Sequence, residues 1–325
     1  MRKIIIAIFL VIAICVVGFA GCNHGELTTV KVCEVTHSIF YAPQYVAIAL
    51  GYFEDEGLEI ELTNGGGANN VTAALLSGDS DIGLCGPEAT IYVYNQGETD
   101  YIVNFAQLTQ CDGSFLLARE PDPDFDIQDV VGSLIIGGRK GGMPEMTLEW
   151  VLKQNGIIPG VDVTIDTSIA FNAMSGGFVG GIGDYVALFE PNATALENEG
   201  IGYVVMSIGE MSGKVPYTVY NARKSYIEEN PKIIKSFVKA IEKGQEYVSK
   251  HTAEEVAALL TEFFPDTSMD DLISVVQRYK DIEAYAENTQ FTEESFNLMQ
   301  EIVKEAGELT EYAPYDKLVT NEFSR

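Results

Sequence analysis

The 325-residue chain reads as an α/β protein of two lobes followed by a helical tail. Three observations predict this. Short β-rich runs alternate with helical segments from Val30 onward, a stretch of prolines and acids breaks that rhythm, and beyond Pro216 the pattern turns to helices alone. In the first series the spacing predicts strands over 30–35, 58–62, 81–85 and 101–108, with helices over 43–53, 69–76 and 88–95. Near-continuous apolar runs such as that over 82–85 suit strands buried on both faces. Glu120-Pro121-Asp122-Pro123-Asp124 then favours an extended surface connection. The second series predicts strands over 133–137, 163–167, 185–189 and 203–207, with a helix over 143–154.

In the tail, Asn230-Pro231 starts a helix with a proline at its first position. Ile233, Ile234, Phe237, Val238, Ile241 and Val248 make one apolar stripe along it. Thr252 with Glu255 and Ser268 with Asp271 read as capping boxes, and a last helix over 292–306 is closed by Gly307. The expected organisation is a leader over 1–21, a tether over 22–29, a first lobe of 30–117 plus 218–325, and a second lobe of 118–217. The tail should pack back on the first lobe. In open α/β sheets ligands sit beyond the carboxyl ends of the strands, so the strand-to-helix loops are where chemistry is expected.

Composition narrows the function. With 48 Asp and Glu against 20 Lys and Arg the net charge is −28, and 46% of residues are hydrophobic. That is a folded protein with no nucleic-acid partner, because neutralising phosphates needs clustered Lys and Arg. Arg2 and Lys3 precede an apolar run from Ile4 to Ala20 that ends at Phe19-Ala20-Gly21-Cys22, the pattern of an export signal. The Ala-Gly-Cys junction resembles a bacterial lipobox, although Phe19 stands where leucine is usual. Cys22 would then be acylated and tether the protein to the outer face of the membrane; an uncleaved anchor is the alternative. Cys33, Cys85 and Cys111 remain, an odd number without a CxxC spacing, and read as buried apolar thiols rather than metal ligands.

The loop after the first strand carries a resemblance. Tyr41-Ala42-Pro43, Ala47 and Gly51-Tyr52-Phe53-Glu54-Asp55-Glu56-Gly57-Leu58-Glu59-Ile60 resemble the opening of the solute-binding proteins of the alkanesulfonate, nitrate and thiamine-pyrimidine family. Leu75-Leu76-Ser77-Gly78-Asp79-Ser80-Asp81-Ile82-Gly83 and Pro87-Glu88 continue it in order and spacing. The resemblance covers residues 30–110 strongly and the rest loosely. It implies a bilobal periplasmic-binding-protein fold of type II-like form and a monomer that delivers a solute to an ABC permease and its ATPase. It implies neither a cofactor nor catalysis. The enzymatic alternative, a pyrimidine-synthase-like activity, would carry a cysteine-rich iron motif that this sequence lacks.

Eight residues are candidates for the ligand site. Ser38 offers a hydroxyl, and Phe40 and Tyr41 offer flat faces that either sandwich a planar ring or belong to the core. Gly66, within Gly65-Gly66-Gly67, permits a close backbone approach or marks an exposed turn. Glu88 opens a helix, where it contacts a ligand or complements the helix dipole. Arg139 and Gly141, in Gly137-Gly138-Arg139-Lys140-Gly141-Gly142-Met143-Pro144, join a strand to a helix without matching a nucleotide loop. Their loop holds an anionic or acceptor group, or is a solvated basic turn. Glu190 follows Tyr185-Val186-Ala187-Leu188-Phe189, and in pyrimidine-binding relatives a glutamate so placed faces the cleft; a helix-cap role alone is the alternative. The resemblance therefore implies that Glu190 selects an aminopyrimidine, with a sulfonate or nitrate as the alternative solute; Phe171 and Asn172 are weaker candidates.

Overall fold

The computed structural model describes residues 27–325. The leader, most of the tether and Cys22 lie outside the described residues. Ten strands follow in chain order: β1 (Thr28–Glu34), β2 (Leu58–Asn64), β3 (Ile82–Cys85), β4 (Ile102–Thr109), β5 (Ser114–Ala118), β6 (Leu134–Ile136), β7 (Thr164–Asp166), β8 (Tyr185–Phe189), β9 (Tyr203–Ser207) and β10 (Thr218–Arg223). They form two five-stranded sheets, ordered β2-β1-β3-β10-β4 and β7-β6-β8-β5-β9. In each sheet one strand runs against its neighbours, β10 in the first and β5 in the second. The remaining pairs are parallel and are linked by helices, as parallel strands require.

Two strands depart from expectation. β5 belongs to the second sheet, so the first crossing between sheets falls at residues 110–113 and not near 118. β10 lies inside the first sheet, although the chain beyond Pro216 reads as helical. Its sequence, Thr218-Val219-Tyr220-Asn221-Ala222-Arg223, is short and follows a proline, and its role as a central strand depends on pairing with β3 and β4 more than a hundred residues earlier. The expected helix over 43–53 is two helices, Ala42–Ala49 and Tyr52–Asp55, divided at Leu50 and Gly51.

The tail does more than pack on the first sheet. Its long helix Pro231–Lys250 buries Ile234, Phe237, Val238, Ile241 and Val248, and the stripe lies on the Ala42–Ala49 helix. Thr252 caps Ala253–Leu260 with the full reciprocal box to Glu255, whereas the Ser268 hydroxyl accepts the Asp271 N–H and donates to the Asp271 carboxylate at the start of Met269–Asp281, without the return bond to its own N–H. Two tail helices also reach the second sheet's layer. Lys153 Nζ, on helix Met143–Gln154, donates to the Glu305 carbonyl at 3.0 Å. The Tyr279 hydroxyl donates to the Gly113 carbonyl at 2.9 Å and accepts the Glu190 N–H at 3.1 Å. The tail thus straddles both lobes. Among the described residues no helix is long and apolar enough to cross a membrane.

Candidate functional site

The carboxyl ends of β1, β3, β6 and β8 open on one cavity between the two sheets. It encloses about 560 Å³ including its mouth, within the range of small-molecule sites. From the first lobe it is lined by Val35, Thr36 and Tyr41 after β1, by Gly67 and Ala68 after β2, by Gly86 and Glu88 after β3, and by Tyr217 and Thr218 leading into β10. The second lobe contributes Arg139, Gly142, Met143 and Pro144 after β6, with Phe171 and Phe189. Phe189 packs at 5.5 Å from Phe171 and 6.0 Å from Tyr217, measured between ring centroids. These rings make a continuous aromatic wall.

Glu88 sits at the first turn of helix Glu88–Asn95, 1% exposed. Its Oε2 is buried without a hydrogen-bond partner. The carboxyl folds back over Gly86, where a Cβ would lie 2.1 Å from Oε2. Glycine is what permits this placement. Burial pushes the Glu88 carboxyl up to about 7, against the lowering effects of the backbone N–H groups of Glu88, Met143 and Ala89 and of the Arg139 charge. Arg139 bonds the Lys140 carbonyl at 3.2 Å and forms no ion pair among the described residues. Lys140 turns away, to Glu145 at 3.1 Å and Glu149 at 2.9 Å, leaving Arg139 as the cation of the cavity wall.

The other expected residues lie elsewhere. Glu190 and Ser38 line an adjoining, smaller recess of about 280 Å³ together with His37, Phe171 and Asn192. The Glu190 carboxylate is occupied by the protein, with Arg278 Nη1 at 2.5 Å on Oε1 and the Thr194 N–H at 2.8 Å on Oε2. Arg278 also holds Glu197 at 3.2 Å. The expectation that Glu190 faces the cleft as the solute's selector is therefore corrected: it lines the adjoining recess, and Arg278, 88 positions later in the tail, already occupies its carboxylate. Ser38 Oγ donates to the Glu190 carbonyl at 2.5 Å and caps the short turn Ile39–Tyr41. Phe40 is wholly buried behind the aromatic wall, 5.5 Å from Phe189 and 5.9 Å from Tyr217. Gly66 has a φ of +68° and donates its N–H to Asn64 Oδ1 at 2.9 Å, while its neighbour Gly67 lines the cavity. The Gly141 N–H is taken by Glu145 at 3.1 Å and its carbonyl accepts the Tyr92 hydroxyl at 3.0 Å, so Gly142 reaches the cavity in its place. Of the eight, Tyr41, Glu88 and Arg139 meet at the cavity.

Tyr217 and Thr218 were not anticipated. They lie on the second crossing, and only the topology, which inserts β10 beside β3 and β4, brings them there.

The comparisons with known proteins agree with this architecture. A family model described as "NMT1/THI5 like" matches residues 39–255. The chain belongs to the NMT1/THI5-like family. A protein of Bacillus subtilis (strain 168) named "Putative binding protein YtlA" is 43% identical over 319 residues, 98% of this chain and 94% of its own. A more distant relative, "4-amino-5-hydroxymethyl-2-methylpyrimidine phosphate synthase" of Candida albicans (strain WO-1), is 25% identical over 66% of this chain and 65% of its own. The structure of the alkanesulfonate-binding protein SsuA from Xanthomonas axonopodis pv. citri bound to MOPS superposes with a TM-score of 0.72 and 15% identity, covering 91% of this chain and 99% of that one. That last likeness is one of fold. By family the chain is NMT1/THI5-like, and it shares its fold with solved binding proteins.

Proposed function

We propose that the protein captures a small, planar, nitrogen-containing solute, an aminopyrimidine in class, between its two lobes and delivers it outside the cytoplasm to an ABC permease powered by its ATPase. The observation that carries this reading is Glu88: a buried carboxyl with an unpartnered oxygen on the wall of an apolar, aromatic-lined cavity. A buried polar group of that kind needs a partner, and a solute with N–H groups supplies it while its ring lies against Phe189, Tyr41 or Tyr217. Arg139 and the N–H groups opening helix Met143–Gln154 would meet an acceptor on the solute's other side. A solute that bridges acid on one lobe and base on the other favours the closed state, which is the coupling an importer needs.

A second reading, an alkanesulfonate or nitrate, is favoured by Arg139 but brings no N–H group to the Glu88 carboxyl in the same cavity. Calorimetric titration with aminopyrimidines, methanesulfonate and nitrate, together with mass spectrometry of any solute that co-purifies, decides between them. Saturable one-to-one binding of an aminopyrimidine is expected. Binding of the anions alone would overturn the reading.

Attachment to the membrane through an acylated Cys22, as a monomer, completes the proposal. The Ala20-Gly21-Cys22 junction after a basic and apolar leader supports it. Intact mass of membrane-extracted protein should show added acyl chains that Cys22→Ser lacks.

A further inference from the structure

Among the described residues, two cavity-lining polar atoms are buried without a partner, Glu88 Oε2 and the Tyr217 hydroxyl. The acid is the informative one, because its protonation state determines what it can bind. An ionised carboxylate only accepts hydrogen bonds, whereas the neutral acid is donor and acceptor at once. An unpaired carboxylate in an apolar cavity is costly, and Arg139 across the cavity makes no ion pair with it. We propose that Glu88 holds the solute in its neutral carboxylic-acid form, its O–H donating to a ring nitrogen and its carbonyl oxygen accepting from the amino group beside that nitrogen. The pair forms two parallel hydrogen bonds and contains one proton, which stays on the Glu88 oxygen or moves to the ring nitrogen without changing the total. The inference rests on the planar, nitrogen-containing reading and narrows it to solutes with an amidine edge.

Among the described residues Glu88 is the carboxyl that lines the cavity; Asp112, buried beside Tyr217, is also pushed by burial up to about 7, but its Oδ1 is held by the Ser114 N–H and hydroxyl. Cys85, behind Glu88 on β3, is pushed by burial up to about 12. Tyr41, Tyr92 and Tyr217 are phenols raised by burial and stay neutral. Glu145, on the helix packed opposite, is also pushed by burial up to about 7, but it faces Lys140 and the Gly141 N–H. Burial raises the Glu88 carboxyl to the same range, so the acid form is present at neutral pH. The solute stabilises that form, so binding is fully present below about pH 7 and is lost as the pH rises through it, by up to about tenfold per unit.

The test uses 2-aminopyrimidine as probe, titrated calorimetrically into the wild type, Glu88→Gln and Glu88→Ala between about pH 6 and pH 9. Wild-type affinity should be level at the acid end and fall above about pH 7. The amide of Glu88→Gln reproduces donor and acceptor without titrating, so its affinity should not fall, and at the alkaline end it should bind about tenfold or more tightly than the wild type. Glu88→Ala should bind at least about tenfold more weakly than Glu88→Gln throughout. A wild-type affinity that rises with pH, or a folded Glu88→Gln that cannot bind while the wild type binds at the alkaline end, overturns the inference. A second arm needs no solute: the carbon-13 carboxyl resonance present in wild type and missing from Glu88→Gln should titrate near pH 7. If it titrates in the ordinary carboxylate range while 2-aminopyrimidine still binds, the neutral-acid inference fails and the solute class stands. If it titrates near pH 7 but only methanesulfonate or nitrate binds, the solute class fails and takes the amidine edge with it.

Discussion

Glu88 and Glu190 invite comparison. Each follows the carboxyl end of a strand, β3 in one lobe and β8 in the other, and each is 1% exposed. Around Glu190 the protein has spent its own groups: a guanidinium, a backbone N–H and, on the main chain, the hydroxyls of Ser38 and Tyr279. Around Glu88 it has left an oxygen unpartnered beside an open volume. A buried acid whose valences are filled ties lobes and tail together, whereas one left unfilled is available to a solute. Burial alone does not distinguish the two; the partner count does.

The largest effect expected from breaking this contrast is at the filled corner. Arg278→Met removes the counter-charge from a carboxylate whose side chain has no exposure and also frees Glu197. Breaking one side of a buried pair costs about 3 to 5 kcal/mol, and the 28% exposure of Arg278 moves the expected loss toward about 2 to 4 kcal/mol. Urea unfolding at neutral pH measures it. A loss below about 0.5 kcal/mol would mean that the tail helix is not a strut between the lobes.

At the unfilled corner the sign reverses. The Glu88 carboxyl rises from 4.5 to about 7 on folding, so the folded state binds the proton more tightly than the unfolded chain does. Stability therefore falls as the pH climbs from about 4.5 to about 7 and is level above that. Glu88→Gln removes this penalty, and without solute should gain roughly 1 to 3 kcal/mol at about pH 8 and little at about pH 4. Thermal unfolding of both proteins at the two pH values checks it. A loss at the alkaline end would make Glu88 a structural acid like Glu190 and end the contrast.

The same contrast shows what could be read from the sequence. Alternation of strands and helices along residues 30–110 is local, and those elements stand within a few residues of where the spacing puts them. Tyr41, Glu88 and Arg139 were legible because they stand in strand-to-helix loops, and such loops face the cleft in any fold of this kind. Glu190 stands in such a loop too and shares their signature. What fills it is Arg278, carried by a capped amphipathic helix whose docking surface no local pattern specifies. Tyr217 and Thr218 were hidden for a related reason: β10 pairs only with distant strands, so its turn into the cavity is a property of the topology.

A smaller effect is expected of Ser38→Ala, which strips one donor from the filled corner. The Ser38 hydroxyl donates to the Glu190 carbonyl and accepts from the Phe40 N–H, so the change unsatisfies a buried carbonyl and uncaps a turn, for about 1 to 2 kcal/mol. Affinity for the solute should change less than the stability does, since Ser38 does not line the main cavity. A loss of affinity of about a hundredfold with little loss of stability would instead move Ser38 into the site.

The smallest expected effect is that of Tyr92→Phe. The Tyr92 hydroxyl, on the first lobe's Glu88–Asn95 helix, donates to the Gly141 carbonyl of the second lobe at 3.0 Å. It is an interlobe bond on the Glu88 side of the cavity, the counterpart of Ser38 on the Glu190 side. The residue is only part-buried, so water can replace the lost donor, and the variant should cost no more than about 0.5 to 1 kcal/mol of stability. What it should change is closure. With one tie between the lobes gone, the open state gains population, and affinity for a solute that needs the closed state falls by the same few-fold factor. Small-angle scattering of the solute-free protein should record a larger radius for Tyr92→Phe than for the wild type, and the two should coincide once saturated. Identical profiles in both conditions would mean that the lobes on the Glu88 side are held by the solute and the tail alone, with no contribution from this bond.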